Sequence, residues 1–147
     1  MKVLASGVFD LLHYGHIRFL EEAKKLGGSN AKLVVIVASD ETVTRAKKRP
    51  PVIPEDQRRA VVESLKVVDE AILGYKDMDL DKVMKTIRPD IVAVGHDQHE
   101  IELEVNRLIK EKGYRIRIEQ VGRFGPEDLN SSSKIKRRIA EGSRKKP

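Results

Sequence analysis

Residues 2–28, KVLASGVFDLLHYGHIRFLEEAKKLGG, combine a short apolar run, a glycine-containing turn and a helical pattern. The run Lys2–Ser6 ends at Gly7, as is typical of a buried parallel strand. Apolar residues then recur at every third position from Ile17 to Leu26, and the pattern ends at a pair of glycines, which predicts a helix and its end. A strand that leads directly into a helix is the repeating unit of α/β proteins.

The same alternation continues along the chain. Further strands are predicted at Leu33–Ser39, Ala71–Leu73, Asp90–Val94 and Tyr114–Val121, and further helices at Glu55–Leu65, Asp79–Ile87, Ile101–Lys112 and Ser132–Ala140. Two segments, Asp40–Ile53 and Arg123–Asn130, are predicted to be long loops, and long loops in compact domains are usually functional. The pattern predicts one α/β domain with an open, mainly parallel five-stranded sheet and helices on both faces.

Length and composition narrow the classes of protein. At 147 residues the chain corresponds to one domain, here predicted over residues 1–141, and 39% hydrophobic with 35% charged residues is typical of a folded globule. The absence of cysteine excludes disulfides, thiolate metal sites and a cysteine nucleophile. With no long apolar run and no pattern of a signal peptide, we expect a cytoplasmic protein without membrane association.

The net charge of +6 is concentrated at the C-terminus. Residues 134–147 contain seven basic residues and one acidic residue, so the rest of the chain is neutral overall. We interpret residues 142–147 as a basic flexible tail. A module that binds nucleic acid or another acidic partner through this tail is an alternative function, but a neutral body with 4% aromatic residues does not indicate specific nucleic-acid recognition.

The four histidines of the chain form two His-x-x-His pairs, His13/His16 and His96/His99. The first pair follows the first predicted strand and the second pair follows the fourth. Open α/β sheets bind ligands at the carboxyl ends of their strands, where the strand order reverses. If strands one and four are neighbours there, as in common doubly wound sheets, both pairs lie at one crevice.

The first pair has a setting suited to phosphate. Gly7 and Gly15 let the backbone approach a ligand, and free N–H groups at a helix N-terminus favour anions. Histidines three positions apart lie on one face of a helical turn, so His13 and His16 can donate to the same phosphate. Two other interpretations stay open from the residues alone: a histidine pair that caps the helix or packs in the core, and a zinc site completed by Asp10 or Asp97.

The segment Gly7-Val8-Phe9-Asp10, followed by His13-Tyr14-Gly15-His16, resembles the G-x-F-D-x-x-H-x-G-H signature of the cytidylyltransferase-like nucleotidyltransferases. The resemblance extends from Lys2 to about Ile139, and within this family the chain is most similar to the single-domain archaeal FAD synthetases. It implies a Rossmann-like sheet. It also implies transfer of AMP from ATP to FMN by in-line attack on the α-phosphate, with release of pyrophosphate.

The resemblance implies roles for individual residues. His13, His16 and Lys47 would stabilise the charge of the transition state, with Lys48 as the alternative to Lys47 in the same basic segment. Lys48, Arg58 and Arg123 would contact nucleotide or acceptor phosphate. Contacts to the nucleotide would come from Gly7, Val8, Phe9, Asp10, Gly15, Gly95, His96, Asp97, Ser131, Ser132 and Ser133. Each of these residues also has an interpretation without a role in function. Lys47 would then belong to a solvated basic loop, Arg58 would be an exposed charge on a helix, and the serines would form an ordinary N-cap.

Two departures from the cytidylyltransferase branch bear on the substrate. Val8 replaces a common threonine, and Arg123 is only a loose counterpart of an arginine that precedes the serine signature in that branch. Both departures argue against glycerol-3-phosphate cytidylyltransferase, although a CTP-dependent enzyme that acts on a polyol phosphate stays the alternative. Phe9, Tyr14, Tyr75 and Phe124 are the candidates to line a flavin slot.

The resemblance also implies partners of the reaction. ATP and FMN would be the substrates, a divalent ion such as Mg²⁺ would arrive with ATP, and no metal ligand is expected from the protein alone. Relatives are often homodimers, and by this analogy alone a homodimer is one of the assemblies open to this chain.

Overall fold

The computed structural model describes residues 1–74, 79–122 and 132–144. Strands and helices alternate along these residues. In chain order they are β1 (Lys2–Gly7), α1 (Tyr14–Lys25), β2 (Lys32–Val37), α2 (Asp40–Lys47), α3 (Glu55–Glu63), β3 (Glu70–Leu73), α4 (Leu80–Ile87), β4 (Ile91–Gly95), α5 (His99–Lys112), β5 (Arg117–Val121) and α6 (Ser132–Arg144). Within the described ranges, no helix is long and apolar enough to cross a membrane.

The five strands form one parallel sheet in the order β3-β2-β1-β4-β5. Successive side chains on a strand point to opposite faces, and the core is divided accordingly. Val3 and Ala5 pack with residues of α1 and α3, whereas Leu4 packs with residues of α4 and α5. The prediction of an open α/β sheet with helices on both faces is therefore confirmed.

The prediction of a loop over Asp40–Ile53 is wrong in its first half, because α2 occupies this segment. Ser39 caps the helix by accepting a hydrogen bond from the Thr42 N–H at 3.2 Å, and Glu41 forms an ion pair with Arg45 one turn later. Val43 is the one buried residue of α2. With a single apolar anchor the segment has no hydrophobic period from which a helix could be predicted.

The C-terminal boundary also differs from the prediction. Helix α6 continues through Arg144, so the first three residues of the predicted flexible tail are helical. The predicted loop Arg123–Asn130 lies outside the described residues.

The crevice lies where β1 and β4 separate. Their pairing is limited to Val3 with Ile91 and Leu4 with Val92, while each strand stays paired with its other neighbour to its end. Beyond Leu4 and Val92 the amide of Gln98 connects the two strands: its Nε2 donates to the Ser6 carbonyl at 3.0 Å, and its Oε1 accepts from the Gly95 N–H at 2.8 Å. The prediction that strands one and four are neighbours at the point of reversal is confirmed.

Candidate active site

A cavity of about 480 Å³ opens at the carboxyl ends of β1 and β4. Most of the residues that the sequence singled out line it: Gly7, Val8, Phe9, Asp10, His13, Gly15, His16, Lys47, Gly95, His96, Asp97 and Ser133. Lys48 and Arg58 do not. Ser131 and Arg123 lie outside the described residues, and of Ser132 only the backbone, at the start of α6, is described.

The turn from β1 into α1 is shaped by Phe9. This residue adopts a left-handed backbone conformation (φ +52°), and its side chain is only 4% exposed. The ring folds back over Gly7 so closely that a Cβ on Gly7 would lie 2.8 Å from Phe9 Cζ. The ring also contacts His16 edge to face, with centroids 5.2 Å apart. Glycine at position 7 is therefore required by the packing of Phe9, which in turn supports His16.

His13 and His16 stack on each other at the N-terminus of α1, with ring centroids 3.7 Å apart and planes inclined by 26°. The backbone N–H of His13 donates to Nδ1 of His16 at 3.2 Å, so a neutral His16 ring carries its proton on Nε2. Nδ1 of His13 is buried and has no hydrogen-bond partner in the described part of the chain. The backbone thus occupies Nδ1 of His16, whereas Nδ1 of His13 is left without a hydrogen bond among the described residues.

The surroundings of both imidazoles favour the neutral form of the ring. Burial lowers the pKa of His13. Burial, together with the positive charges of His13 and Lys47, lowers the pKa of His16 to about 3. A neutral imidazole still donates a hydrogen bond from its N–H group. The pair can therefore stabilise phosphate charge as preorganised donors without being cations beforehand.

Lys47 is the last residue of α2, and its side chain lines the cavity beside the histidine pair. Lys48 follows in a left-handed conformation (φ +61°), and its N–H caps the helix by donating to the Thr44 carbonyl at 2.8 Å. The turn at Lys48 separates the two lysines. The geometry therefore favours Lys47, the first choice from the sequence, over Lys48.

Asp10 belongs to the protein's own hydrogen-bond network. Its buried carboxylate accepts from the N–H groups of Val52 at 3.0 Å and Ile53 at 2.8 Å, and the Lys136 ammonium lies 2.8 Å from Oδ2. Burial acts to raise the pKa of Asp10, but the Lys136 hydrogen bond and the two backbone N–H groups outweigh it and hold the pKa below its ordinary value. With both oxygens engaged, Asp10 maintains the geometry of the motif. Nothing in the sequence pattern pointed to Lys136.

Arg58 corrects an expectation. The resemblance implied a phosphate contact, but the side chain is buried and points into the protein. Its guanidinium donates to the carbonyls of Ile53, Val8 and Ala38 at 2.7–2.8 Å and to Asp40 Oδ1 at 2.7 Å. Arg58 thus joins the ends of β1 and β2 to the start of α2. Arg58 therefore does not line the cavity but holds together the segments that do.

The second histidine pair is divided between cavity and surface. His96 and Asp97 line the cavity, whereas His99 begins α5 and does not. A Cβ on Gly95 would lie 3.2 Å from Asp97 Oδ1, which is tighter than ordinary contact. Gln98 supports this turn through its bonds to both strands. The two motifs therefore meet at one cavity, with His96 as the member of the second pair that reaches it.

The apolar part of the cavity differs from the expected aromatic lining. Phe9 lines it, but Tyr14 is 55% exposed and does not, and Tyr75 and Phe124 lie outside the described residues. The apolar surface also comes from Phe19, Ile36 and Ile101. These residues lie within helices and strands, where an apolar residue is predicted to pack in the core. Their sequence pattern therefore does not predict contact with a ligand.

Clusters of three or more His, Asp or Glu side chains suited to a metal ion are absent from the residues that the structure describes. Asp10, the acidic residue of the first motif, accepts hydrogen bonds from three donors of the protein itself. The cavity also contains groups that fit the negative charge of a phosphate, namely the imidazoles, Lys47 and the start of α6, together with the carboxylates of Asp10 and Asp97.

A parallel sheet whose strand order reverses between β1 and β4, with a cavity between the turns that follow these strands, defines a Rossmann-like fold. The chain belongs to the cytidylyltransferase-like family, whose model matches residues 4–138.

Individual relatives are similar over nearly the whole chain. FAD synthase from Methanopyrus kandleri is 46% identical over 140 residues, which cover 95% of this chain and 92% of that protein. FAD synthase from Aciduliprofundum boonei is 46% identical over 92% of this chain and 87% of its own length. The crystal structure of a lipopolysaccharide core biosynthesis protein from Thermoplasma volcanium is 40% identical, with a TM-score of 0.75, covering 85% of this chain and 98% of that one.

Because Arg58 ties four acceptors together inside the protein, its loss should act on stability. We expect Arg58→Met to lower the free energy of unfolding by about 3–5 kcal/mol, since three carbonyls and Asp40 lose their donor. Arg59→Met removes a half-exposed guanidinium paired with Glu63 and should cost less than about 1 kcal/mol. Urea denaturation measures both. Equal losses in the two variants would contradict the buried role.

The low pKa of His16 makes stability depend on pH. Between the ordinary value of 6.5 and about 3, the unfolded chain binds a proton at this position that the folded chain does not. Stability contributed by the neutral ring is thus present above pH 6.5 and is lost as the pH falls, by about 1 kcal/mol per pH unit near pH 5–6. His16→Gln should show a shallower loss in urea denaturation over this range. Parallel pH profiles would show that His16 titrates normally in the fold.

Proposed function

We propose that this chain transfers AMP from ATP to the phosphate of FMN and releases FAD and pyrophosphate. The reaction class is supported by one observation above all: the stacked His13/His16 pair, Lys47 and Ser133 face the same cavity as the turn after β4. The choice of ATP and FMN is supported by the similarity to FAD synthases over most of the chain.

The arrangement suits a nucleoside triphosphate. The triphosphate would lie against the N-terminus of α1, where the histidine rings and the free N–H groups converge. Lys47 approaches from one side and the first turn of α6, at Ser133, from another. The base would lie beside Gly95, His96 and Asp97 at the end of β4, in the position where sheets of this kind hold the nucleotide.

No protein nucleophile is needed for the transfer. The FMN phosphate is a monoester, mostly dianionic at neutral pH, so it attacks the α-phosphorus directly and no general base is required. As the new P–O bond forms, the bond to the pyrophosphate breaks in line with it. His13 and His16 donate hydrogen bonds to the charge that gathers on the phosphoryl oxygens, and Lys47 balances it with a full positive charge.

The divalent ion enters with the substrate as Mg–ATP. Within this cavity the protein contributes cationic and N–H groups around the phosphates, while Asp10 is engaged by Val52, Ile53 and Lys136. The chemistry of the residues present therefore fits an ion held mainly by phosphate oxygens and water. The apolar surface of Phe19, Ile36 and Ile101 offers room for a flat heteroaromatic ring.

A comparison of the rates with different substrate pairs tests the proposal. Purified protein is given each of four pairs, ATP or CTP with FMN or glycerol 3-phosphate, and pyrophosphate and the nucleotide product are measured. We expect ATP with FMN to be preferred by about 100-fold or more, with FAD as the product. CDP-glycerol as the main product would replace the proposal by a polyol-phosphate cytidylyltransferase, and no product from any pair would refute nucleotidyl transfer to these acceptors.

The histidine pair provides a sharper test of the mechanism. His16→Ala should lower kcat by about 100- to 1,000-fold, because one preorganised donor to the transition state is lost. His99→Ala is the matched control, since this exposed histidine lies just outside the cavity and should leave kcat unchanged. Circular dichroism verifies that both variants are folded. Equal kcat values for a folded His16→Ala and the parent protein would remove His16 from the mechanism.

A further inference from the structure

Lys136 is an unexpected neighbour of the first motif. It lies on α6, 126 positions after Asp10, yet its ammonium is 2.8 Å from Asp10 Oδ2. The two side chains are unequally buried, with 4% of the Asp10 side chain and 26% of the Lys136 side chain exposed. An ion pair with one buried member is costly to break, because the carboxylate left behind keeps few donors.

Asp10 connects Lys136 to further hydrogen bonds inside the protein. Its oxygens accept from the N–H groups of Val52 and Ile53, and the Ile53 carbonyl accepts from Arg58 Nε at 2.8 Å. Arg58 in turn donates to Asp40, the first residue of α2. A continuous chain of hydrogen bonds thus extends from α6 to the start of the helix whose last residue is Lys47.

We propose that Lys136 is a positioning residue: through Asp10, Ile53 and Arg58 it holds the N-terminal turn of α6 and helix α2 in register on the two sides of the phosphate site. Its catalytic consequence rests on the function proposed above. Neither Lys136 nor Arg58 is among the residues that line the cavity, so both act through the elements they hold.

The register of α6 matters because Ser133 lies one helical turn before Lys136. Loss of the ammonium releases this turn, so that the hydroxyl and N–H groups facing the cavity shift relative to Lys47. Groups that hold the triphosphate before and during the reaction contribute to ground-state binding, so the main effect should fall on KM.

The test compares three variants at the same helix. Lys136→Met keeps the length of the side chain but removes the charge, Lys136→Arg restores the charge, and Arg137→Met removes a neighbouring exposed charge as a control. We expect Lys136→Met to raise KM for ATP by about 10-fold or more while kcat and KM for FMN change less than about 3-fold. Lys136→Arg should recover most of the loss, and Arg137→Met should match the parent protein.

Two further readouts do not depend on FAD formation. Binding of Mg–ATP without acceptor, measured by calorimetry, should weaken by about the same 10-fold in Lys136→Met. Hydrogen exchange at the amides of Val52 and Ile53 should become faster in this variant, because their acceptor Asp10 has lost its counter-charge, and should be unchanged in Arg137→Met.

The outcomes separate this inference from the proposed function. A parent protein that makes no FAD refutes the function, whereas binding and exchange still decide the role of Lys136. A folded Lys136→Met variant with unchanged affinity for ATP and unchanged exchange at Val52 and Ile53 overturns the inference. A Lys136→Arg variant as impaired as Lys136→Met also overturns it, because the charge would then not be what positions the two helices.

Discussion

The separation of β1 from β4 is the constraint on which the site depends. After Leu4 and Val92 the two strands no longer pair with each other, because the chain continues toward opposite edges of the sheet. Backbone groups left without a strand partner need another, and the Gln98 amide supplies one to Ser6 and one to Gly95. The crevice held open in this way is where the turn after β1 and the turn after β4 face each other. The topology of the parallel sheet therefore creates the crevice, and the side chains of the two turns line it.

The charged residues around the crevice divide into two groups with different tasks. Asp10 and Arg58 are buried and bonded to the protein, so they hold the backbone of the motif and the start of α2 in place. His13, His16 and Lys47 line the cavity, and burial favours the neutral form of both imidazoles by lowering the pKa of each. This division suits a transfer between two phosphates, in which the nucleophile and the leaving group belong to the substrates. The protein then contributes position and electrostatics, and the rigid network behind the cavity is what keeps the donors in position.

The sequence predicted those parts of the molecule that are encoded by local pattern. Short apolar runs ending at glycine predicted β1 and β4, and the His-x-x-His pairs that follow them predicted that the two turns open into one crevice. Helix α2 was missed, because only Val43 is buried along its length and no period results. The roles of Arg58 and Lys136 could not be predicted from the sequence for another reason. A charged residue on a helix gives the same sequence pattern whether its side chain is exposed or buried. The partner of Lys136 is 126 residues away, and only the fold brings the two together.

The proposed function requires that the two stacked imidazoles at the start of α1 face the polyphosphate of a bound nucleotide. Nuclear magnetic resonance of protein labelled with ¹⁵N at histidine tests this directly during titration with Mg–ATP in the absence of acceptor. We expect the ring nitrogens of His13 and His16 to shift strongly as the nucleotide saturates the protein, while those of His99 stay in place. Saturation with ATP that leaves the His13 and His16 resonances unmoved would contradict this role of the pair.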